Sequence, residues 1–451
     1  MLRTAVLFLV LLAGGARAAE VPASVRRISL QEALAIALRD NRTLRAAALA
    51  SEAAQAGVGV ARGALVPRLD AGENFSYTDN PVLAFSDLLL QQDFSQSDFA
   101  LDNLNHPGFI SNFQSQVRLS FPLFAGGRLI AAYRAAGFAA DAERWQEIRT
   151  RQQVEFAVIQ AYYSALLAQE RTTVVESALA AARAHLKQAQ DFFAHGTVVN
   201  SDVLRTQVLV GGLEQQEIEA HSQLNISWAS LAHTLGDEDQ RFAPSATARS
   251  LQSAASTPAL EVLIPEAIAN RPELKIADYR VEQARQALTI ARADYLPTVE
   301  VAGVYENDSQ QLTRAGNNGA LFVTGRLNLF NGLATQAKVN AAQADLSRAR
   351  TLAADLRHAI ALEVESVYRT LAATRQSLSV AERDNAYAQR ALAILQDRYG
   401  TGLATNVAVL DAQTAREEAA MQLARARVNF ALDQAALNLA IGSDPQSQSG
   451  R

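Results

Sequence analysis

The 451-residue chain contains no cysteine, which excludes a disulfide framework and a thiolate metal site, and a lipid-anchored amino terminus is not expected. Aromatic residues supply only 6% of it and prolines number 11, so a compact aromatic core is not expected and little interrupts a helix. No stretch approaches the ~18 unbroken apolar residues of a membrane-crossing helix. Lys and Arg number 41 against 46 Asp and Glu, a net charge of −5. Such a balance carries no basic footprint for nucleic acid.

Chemical motifs are equally scarce. Gly57–Val58–Gly59 lacks a third glycine and a preceding strand, so it is no phosphate loop, and no G-x-S-x-G occurs. His106, His185, His195, His221, His233 and His358 lack HxxxH or other ligand spacing and are expected on the surface. Tyr162–Tyr163, Trp145 and Trp228 are expected in helix packing. No catalytic residue, metal site or cofactor is assigned, and the chain is not expected to be an enzyme.

What is present is repetition. Leu123–Phe124–Ala125–Gly126 returns 206 residues later as Leu329–Phe330–Asn331–Gly332. Phe193, Gly196, Asn200, Leu204 and Gln207 return at the same offset as Tyr399, Gly402, Asn406, Leu410 and Gln413. Upstream, Leu44, Ala61–Arg62 and Pro67 match Leu274, Ala291–Arg292 and Pro297 at an offset of 230. The 24-residue difference places an insertion between Pro67 and Phe124, and a duplicated unit is read as a repeat architecture first. Arg3, the apolar run Ala5 to Ala13 and Ala16–Arg17–Ala18 read as a secretory signal over residues 1–18. The remainder divides into a first repeat over 19–235, a linker over 236–262, a second repeat over 263–441 and a disordered tail over 442–451.

Each repeat contains the same segments. A helix from Ile28 to about Leu65 is stopped by Pro67. Alternation then begins: Leu69, Ala71, Phe75 and Tyr77 on one face against Arg68, Asp70, Asn74 and Ser76. It resumes after a polar stretch with Phe113, Val117, Leu119 and Phe121 against Gln114, Gln116, Arg118 and Ser120. The second repeat does the same with Val299, Val301 and Tyr305, then Leu321, Val323, Leu327 and Leu329 against Thr324, Arg326 and Asn328. Period two with unlike faces is a strand between two environments, so each repeat supplies one hairpin. Long helices follow, Arg128 to about Ala194 and Leu333 to about Tyr399. Their ends carry a heptad seam, Thr172, Val175, Leu179, Ala182, Leu186, Ala189, Phe193 and its copy 206 residues on. A short Gly-bearing turn leads to a second helix, from about Ser201 to Leu235 and from about Val407 to Ile441. A 67-residue helix spans ~100 Å, matched by the two shorter helices end to end, so the chain is expected to form a rod with strands at one end and helical turns at the other.

Four strands with one apolar face cannot close a barrel, and unpaired edges are forbidden in lipid. Two chains would give eight strands and three would give twelve. Gln114, Arg118, Arg326 and Asn328 are then expected to line a wet lumen, with Phe113, Phe121 and Tyr77 facing outer-membrane lipid.

The doubled plan, the L-F-x-G after each hairpin and the F/Y-x-x-G-x-x-x-N-x-x-V-L turns together resemble the TolC-like outer-membrane efflux channels, over essentially the whole mature chain. The resemblance implies a mainly α fold with a small β part: a long α-helical coiled-coil barrel plus four strands per chain, completing a twelve-stranded transmembrane β-barrel in a homotrimer. It implies a passive exit duct of a tripartite efflux or type I secretion system, located in the bacterial outer membrane and extending into the periplasm. Its partners would be a periplasmic adaptor (membrane fusion) protein and an inner-membrane pump of RND, ABC or MFS type. The alternative is a periplasmic coiled-coil scaffold without a pore, which needs no lipid-facing stripe.

The turns are the candidate sites. Gly196 and Gly402 stand where a helix ends left-handed, and Asn200 or Ser201, and Thr405 or Asn406, can cap the next helix. Gly196, Thr197, Val198, Asn200, Gly402, Leu403, Ala404 and Asn406 are the candidate adaptor-docking residues. By resemblance, Asp202 and Tyr399 match gate positions, while Ala404 occupies the place of the family's gate arginine. Of two carboxylates that form rings in the family, one is replaced by Ala408 and the other matches Asp411.

Overall fold

The computed structural model describes residues 25–251, 257–311 and 314–443. The expected signal segment, residues 252–256 of the linker and all but Gly442 and Ser443 of the expected tail lie outside the described residues. Short strand β1 (Arg26–Ile28) leads into α1 (Leu30–Asp40) and α2 (Arg42–Gly63), followed by strand β2 (Arg68–Thr78). Helices α3 (Pro81–Leu90) and α4 (Leu101–Asn105) precede β3 (Ile110–Ala125), α5 (Arg128–Ala194), α6 (Asn200–Leu235) and β4 (Phe242–Pro244). The second repeat contributes α7 (Leu260–Asn270), α8 (Pro272–Ala293), β5 (Thr298–Gln311), β6 (Arg314–Arg326), α9 (Ala334–Gly400) and α10 (Asn406–Ala440). The protein is mainly helical with a small sheet part. No helix among the described residues is long and apolar enough to cross a membrane.

The expected single helix before each hairpin is in fact two. In the first repeat the chain runs extended to Ile28, Ser29 and Glu32 form a reciprocal cap on α1, and the helix breaks at Asn41. In the second it breaks at Arg271. Pro272 disfavours helical geometry at Arg271, but no proline follows Asn41, and its break has a tertiary cause. The Asn41 amide donates to the Thr234 carbonyl at the end of α6, and Arg271 donates to the Ala440 carbonyl at the end of α10. These are repeat-equivalent contacts, since 41 and 271 differ by 230 and 234 and 440 by 206. Each break residue thus satisfies an orphan carbonyl at the end of the partner helix. Gly236 and Gly442, both left-handed, complete the two junctions. A Cβ at Gly236 would collide with the Asp40 carbonyl, and one at Gly442 with the Asn270–Arg271 peptide.

The chain forms two compact units. One gathers the segment up to Asn41, Val154–Ala255 and Leu371–Ala435. Its core holds Ile28, Leu34, Ile159, Tyr162, Leu166 and Phe242, each contributing ~1.5–3 kcal/mol on burial. β1 and β4 pair in parallel there, and the Tyr162 hydroxyl donates to the Ile28 carbonyl at 3.2 Å.

The other unit gathers Arg42–Gln153, Ser256–Thr370 and the chain from Ala436. It holds a four-stranded antiparallel sheet in the order β2-β3-β5-β6. The two hairpins meet through β3 and β5, paired from Phe113–Ser309 to Ala125–Thr298. β2 and β6 are left as open edges. Arg271 bridges Glu273 and Glu363 in the same unit.

Candidate functional site

Both helical turns end as the glycines require. Gly196 and Gly402 have φ of 73° and 79°. The Thr197 and Leu403 amides reach back to the Phe192 and Arg398 carbonyls, the Schellman arrangement. The capping expectation divides. Thr405 Oγ1 accepts from the Ala408 amide, whereas α6 begins at Val199 with no side-chain cap, so neither Asn200 nor Ser201 caps it.

The turns are also unequal in burial. Asn200 is exposed, but its counterpart Asn406 is 3% exposed and tied to the first repeat. Its Nδ2 donates to the Asp202 carbonyl (3.0 Å) and to Thr206 Oγ1 (3.3 Å), and its Oδ1 lies 2.7 Å from His185 Nε2. With both amide donors committed, Oδ1 must accept, which assigns the Nε2–H tautomer to His185. His185 is therefore not the surface histidine expected; it is 6% exposed and its ring lies 4.9 Å from that of Tyr399. Phe192 packs on Tyr399 from the same side, at 5.6 Å. The seam at this end runs through His185 and Phe192, while Leu186 is half-buried and Phe193 exposed. Tyr399 of the other repeat packs on His185 and Phe192, whereas Leu186 packs on a cluster of Leu179 and Ala182 with Val210 and Leu213 of its own repeat.

Among the gate candidates, Asp202 lies in the first turn of α6 and Tyr399 near the end of α9. Burial raises the Tyr399 phenol above its usual pKa, with a further push from the Asp202 charge. Among the described residues the buried Tyr399 hydroxyl finds no hydrogen-bond partner. Asp411 is exposed on α10. Of the docking candidates, Gly196, Thr197, Gly402 and Leu403 are exposed, Val198 and Ala404 are half-buried, and Asn406 is buried.

The strand register sorts the lumen candidates. Gln114 pairs with Asn74 and Asp308, and Arg118 with Asp70 and Val304. Arg326 pairs with Thr298, which shares the face of Val304. Gln114, Arg118 and Arg326 thus lie on one face. Asn328 does not belong with them, because β6 ends at Arg326. The opposite face presents Leu69, Val117, Leu119, Tyr305, Leu321 and Val323, all exposed. Five of the histidines are exposed as expected. His221 lies 3.4 Å from Glu176 and close to Glu217, a contact made across α5 and α6 that sequence spacing could not reveal.

The family described as outer membrane efflux protein matches residues 33–237 and 263–443. The chain belongs to the outer membrane efflux protein family. The two matched stretches fall on the two repeats. The chain is 26% identical over 306 residues to the outer membrane protein TolC of Vibrio cholerae, covering 66% of this chain and 69% of that one. It is 23% identical over 416 residues to the alkaline protease secretion protein AprF of Pseudomonas aeruginosa, covering 89% and 82%. Its fold is similar to that of the Vibrio cholerae outer membrane protein VceC, with a TM-score of 0.75 at 19% identity, covering 92% and 96%. It is also similar to CusC, with a TM-score of 0.79 at 17% identity and 93% of each chain covered. This efflux protein is accordingly a bacterial outer-membrane channel protein that extends into the periplasm.

Proposed function

We propose that three copies of the chain close one twelve-stranded barrel and serve as the passive exit duct of a tripartite efflux or type I secretion system. The observation that carries this reading is the sheet β2-β3-β5-β6, which has two open edges and one exposed apolar face. Open edges in lipid leave backbone donors and acceptors unpaired at a cost of several kcal/mol each. Pairing β6 of one copy with β2 of the next removes both edges, and outer-membrane barrels start at about eight strands. In that barrel the polar face with Gln114, Arg118 and Arg326 lines the lumen.

The helical turns are the entrance. Exposed Thr197 and Leu403, with Gly196, Val198, Gly402 and Ala404 beside them, form the surface on which a periplasmic adaptor docks, and an inner-membrane pump drives export through it. Asn200 and Asn406 divide this work: the exposed one is available to the adaptor, and the buried one holds the turn. Asp202 and Tyr399 stand at the gate, with Ala404 in place of a gate arginine, so the entrance is less tightly locked than the family pattern implies. Asp411 on three copies forms a ring of carboxylates that favours cations.

The test is the native mass of the protein extracted from membranes in mild detergent. Three chains per particle support the barrel, and a stable detergent-free monomer overturns it.

A further inference from the structure

The polar stretch between β2 and β3, where the insertion lies, is not polar throughout. It contains α3, whose sequence PVLAFSDLLL carries a single charge. Asn80 caps it and Pro81 starts it. A helix apolar on all sides is stable only when buried all round, yet Val82, Leu83 and Leu89 are exposed on the single chain.

The end of this helix is held against one particular face of the sheet. Asp87 accepts from Ser76 of β2. Gln91, 7% exposed, donates to Asn112 of β3, which donates in turn to the fully buried Asp308 of β5. Asn318 of β6 donates to the Leu90 carbonyl. Ser76, Asn112, Asp308 and Asn318 occupy the face that carries Gln114 and Arg118, as the strand register requires. Gly316 on that face has Leu90 and Gln91 directly above it, where a Cβ would collide with the Leu90 carbonyl. The exit from α3 is strained: Gln92 has φ of 56°, held by its donation to the Asn317 carbonyl. The insert thus touches β2, β3 and β6 directly and reaches Asp308 of β5 through Asn112, at the end of the sheet away from the helices.

We infer that α3 of each copy folds into the outer mouth of the barrel and docks against α3 of the other two copies, forming an apolar lid. This rests on the trimeric barrel proposed above. Within it, the face that α3 covers is the lumen, so only another copy of the same insert can reach Val82, Leu83 and Leu89. The anchor to β6 lies beside the edge at which the next copy joins, which brings successive inserts together. Twelve strands ~4.8 Å apart and tilted ~40° close into a barrel roughly 24 Å across. A helix with its side chains is ~10 Å thick, so three inserts on the inner wall fill most of the opening.

Because the chain lacks cysteine, Val82→Cys introduces a single thiol. The experiment is oxidation of the full-length V82C protein in detergent, read on non-reducing gels, with single-channel conductance in planar bilayers before oxidation, after it and after reduction. A second variant replaces residues 81–105 by a short Gly-Ser turn. The inference expects interchain disulfides through the introduced thiol with a conductance drop that reduction reverses, and a several-fold higher conductance without the insert. Particles of three chains with neither interchain disulfide nor conductance change overturn the lid and leave the barrel standing. Particles that are not trimers overturn both.

Discussion

Asn406 at the head of α10 lies 2.7 Å from His185 of α5, a hydrogen bond that helps tie the second repeat's turn to the first repeat's long helix. The equivalent position, Asn200, makes no such tie and is exposed. Replacing Asn406 by Ala removes three hydrogen bonds and strands the His185 donor, while the Asp202 carbonyl keeps its bond from Thr206 Oγ1. The expected loss is ~1–3 kcal/mol, against less than ~0.5 kcal/mol for Asn200→Ala. Thermal unfolding of the two variants in detergent, followed by circular dichroism, checks the difference.

Tyr399 gives a prediction of opposite sign. Its hydroxyl is buried with no partner among the described residues, so Tyr399→Phe removes an unpaired polar group and keeps the ring contacts with His185 and Phe192. The variant should be as stable as the parent or up to ~1 kcal/mol more so. If the hydroxyl holds the gate through another copy, the same variant shows a higher resting conductance in planar bilayers.

Arg271 is 9% exposed in its side chain and bridges Glu273 and Glu363 while donating to the Ala440 carbonyl. Arg271→Met leaves Glu273, 16% exposed, with Arg149 as its remaining cation. Removing one member of a fully buried pair costs ~3–5 kcal/mol. Glu363 is 46% exposed and rehydrates, so about 2 kcal/mol is expected here. Faster amide hydrogen exchange at the ends of α7 and α10 would locate the effect.

Asp411 is exposed on α10, and the task proposed for it lies in the assembled duct. Asp411→Ala is expected to weaken block of the channel by polyvalent cations severalfold without altering unfolding. Unchanged block would take Asp411 out of the pore.

Glu417 supplies a pH dependence. Burial raises its carboxyl pKa, and neighbouring Glu418 pushes the same way. The folded chain therefore binds this proton at a higher pH than the unfolded chain does. Its contribution is most favourable at low pH and is lost as pH rises through the raised folded value. Glu417→Gln should raise the melting midpoint at pH 7.5, and the advantage should close by about pH 4, near the ordinary Glu value.

Much of the architecture was legible in the residues because it depends on near neighbours. The 67-residue extent of α5, the left-handed glycines of both turns and the alternation of β2 and β3 follow from helix stops, φ requirements and period-two patterning. What failed did so where a distant partner decided. Ile28 to Leu65 reads as one helix, but Thr234 at the end of α6 captures Asn41 and breaks it. Asn328 continues the alternation, but β6 stops at Arg326. Phe193 continues the heptads yet is exposed, and Tyr399 packs against His185 and Phe192 instead.

By itself, the sequence determined that the chain is a duplicated helix–hairpin–helix unit, with one apolar and one polar strand face and glycine-ended turns. These are properties of short windows, governed by periodicity and backbone preference. Only the tertiary structure decided that β3 pairs with β5, that the two equivalent turn asparagines lie in opposite environments, and that the inserted α3 lies over the polar face. Each of those is a choice among contacts distant along the chain, such as the 196 residues between Asn112 and Asp308. Such choices are settled by which buried donors and acceptors find partners, and no local pattern records them.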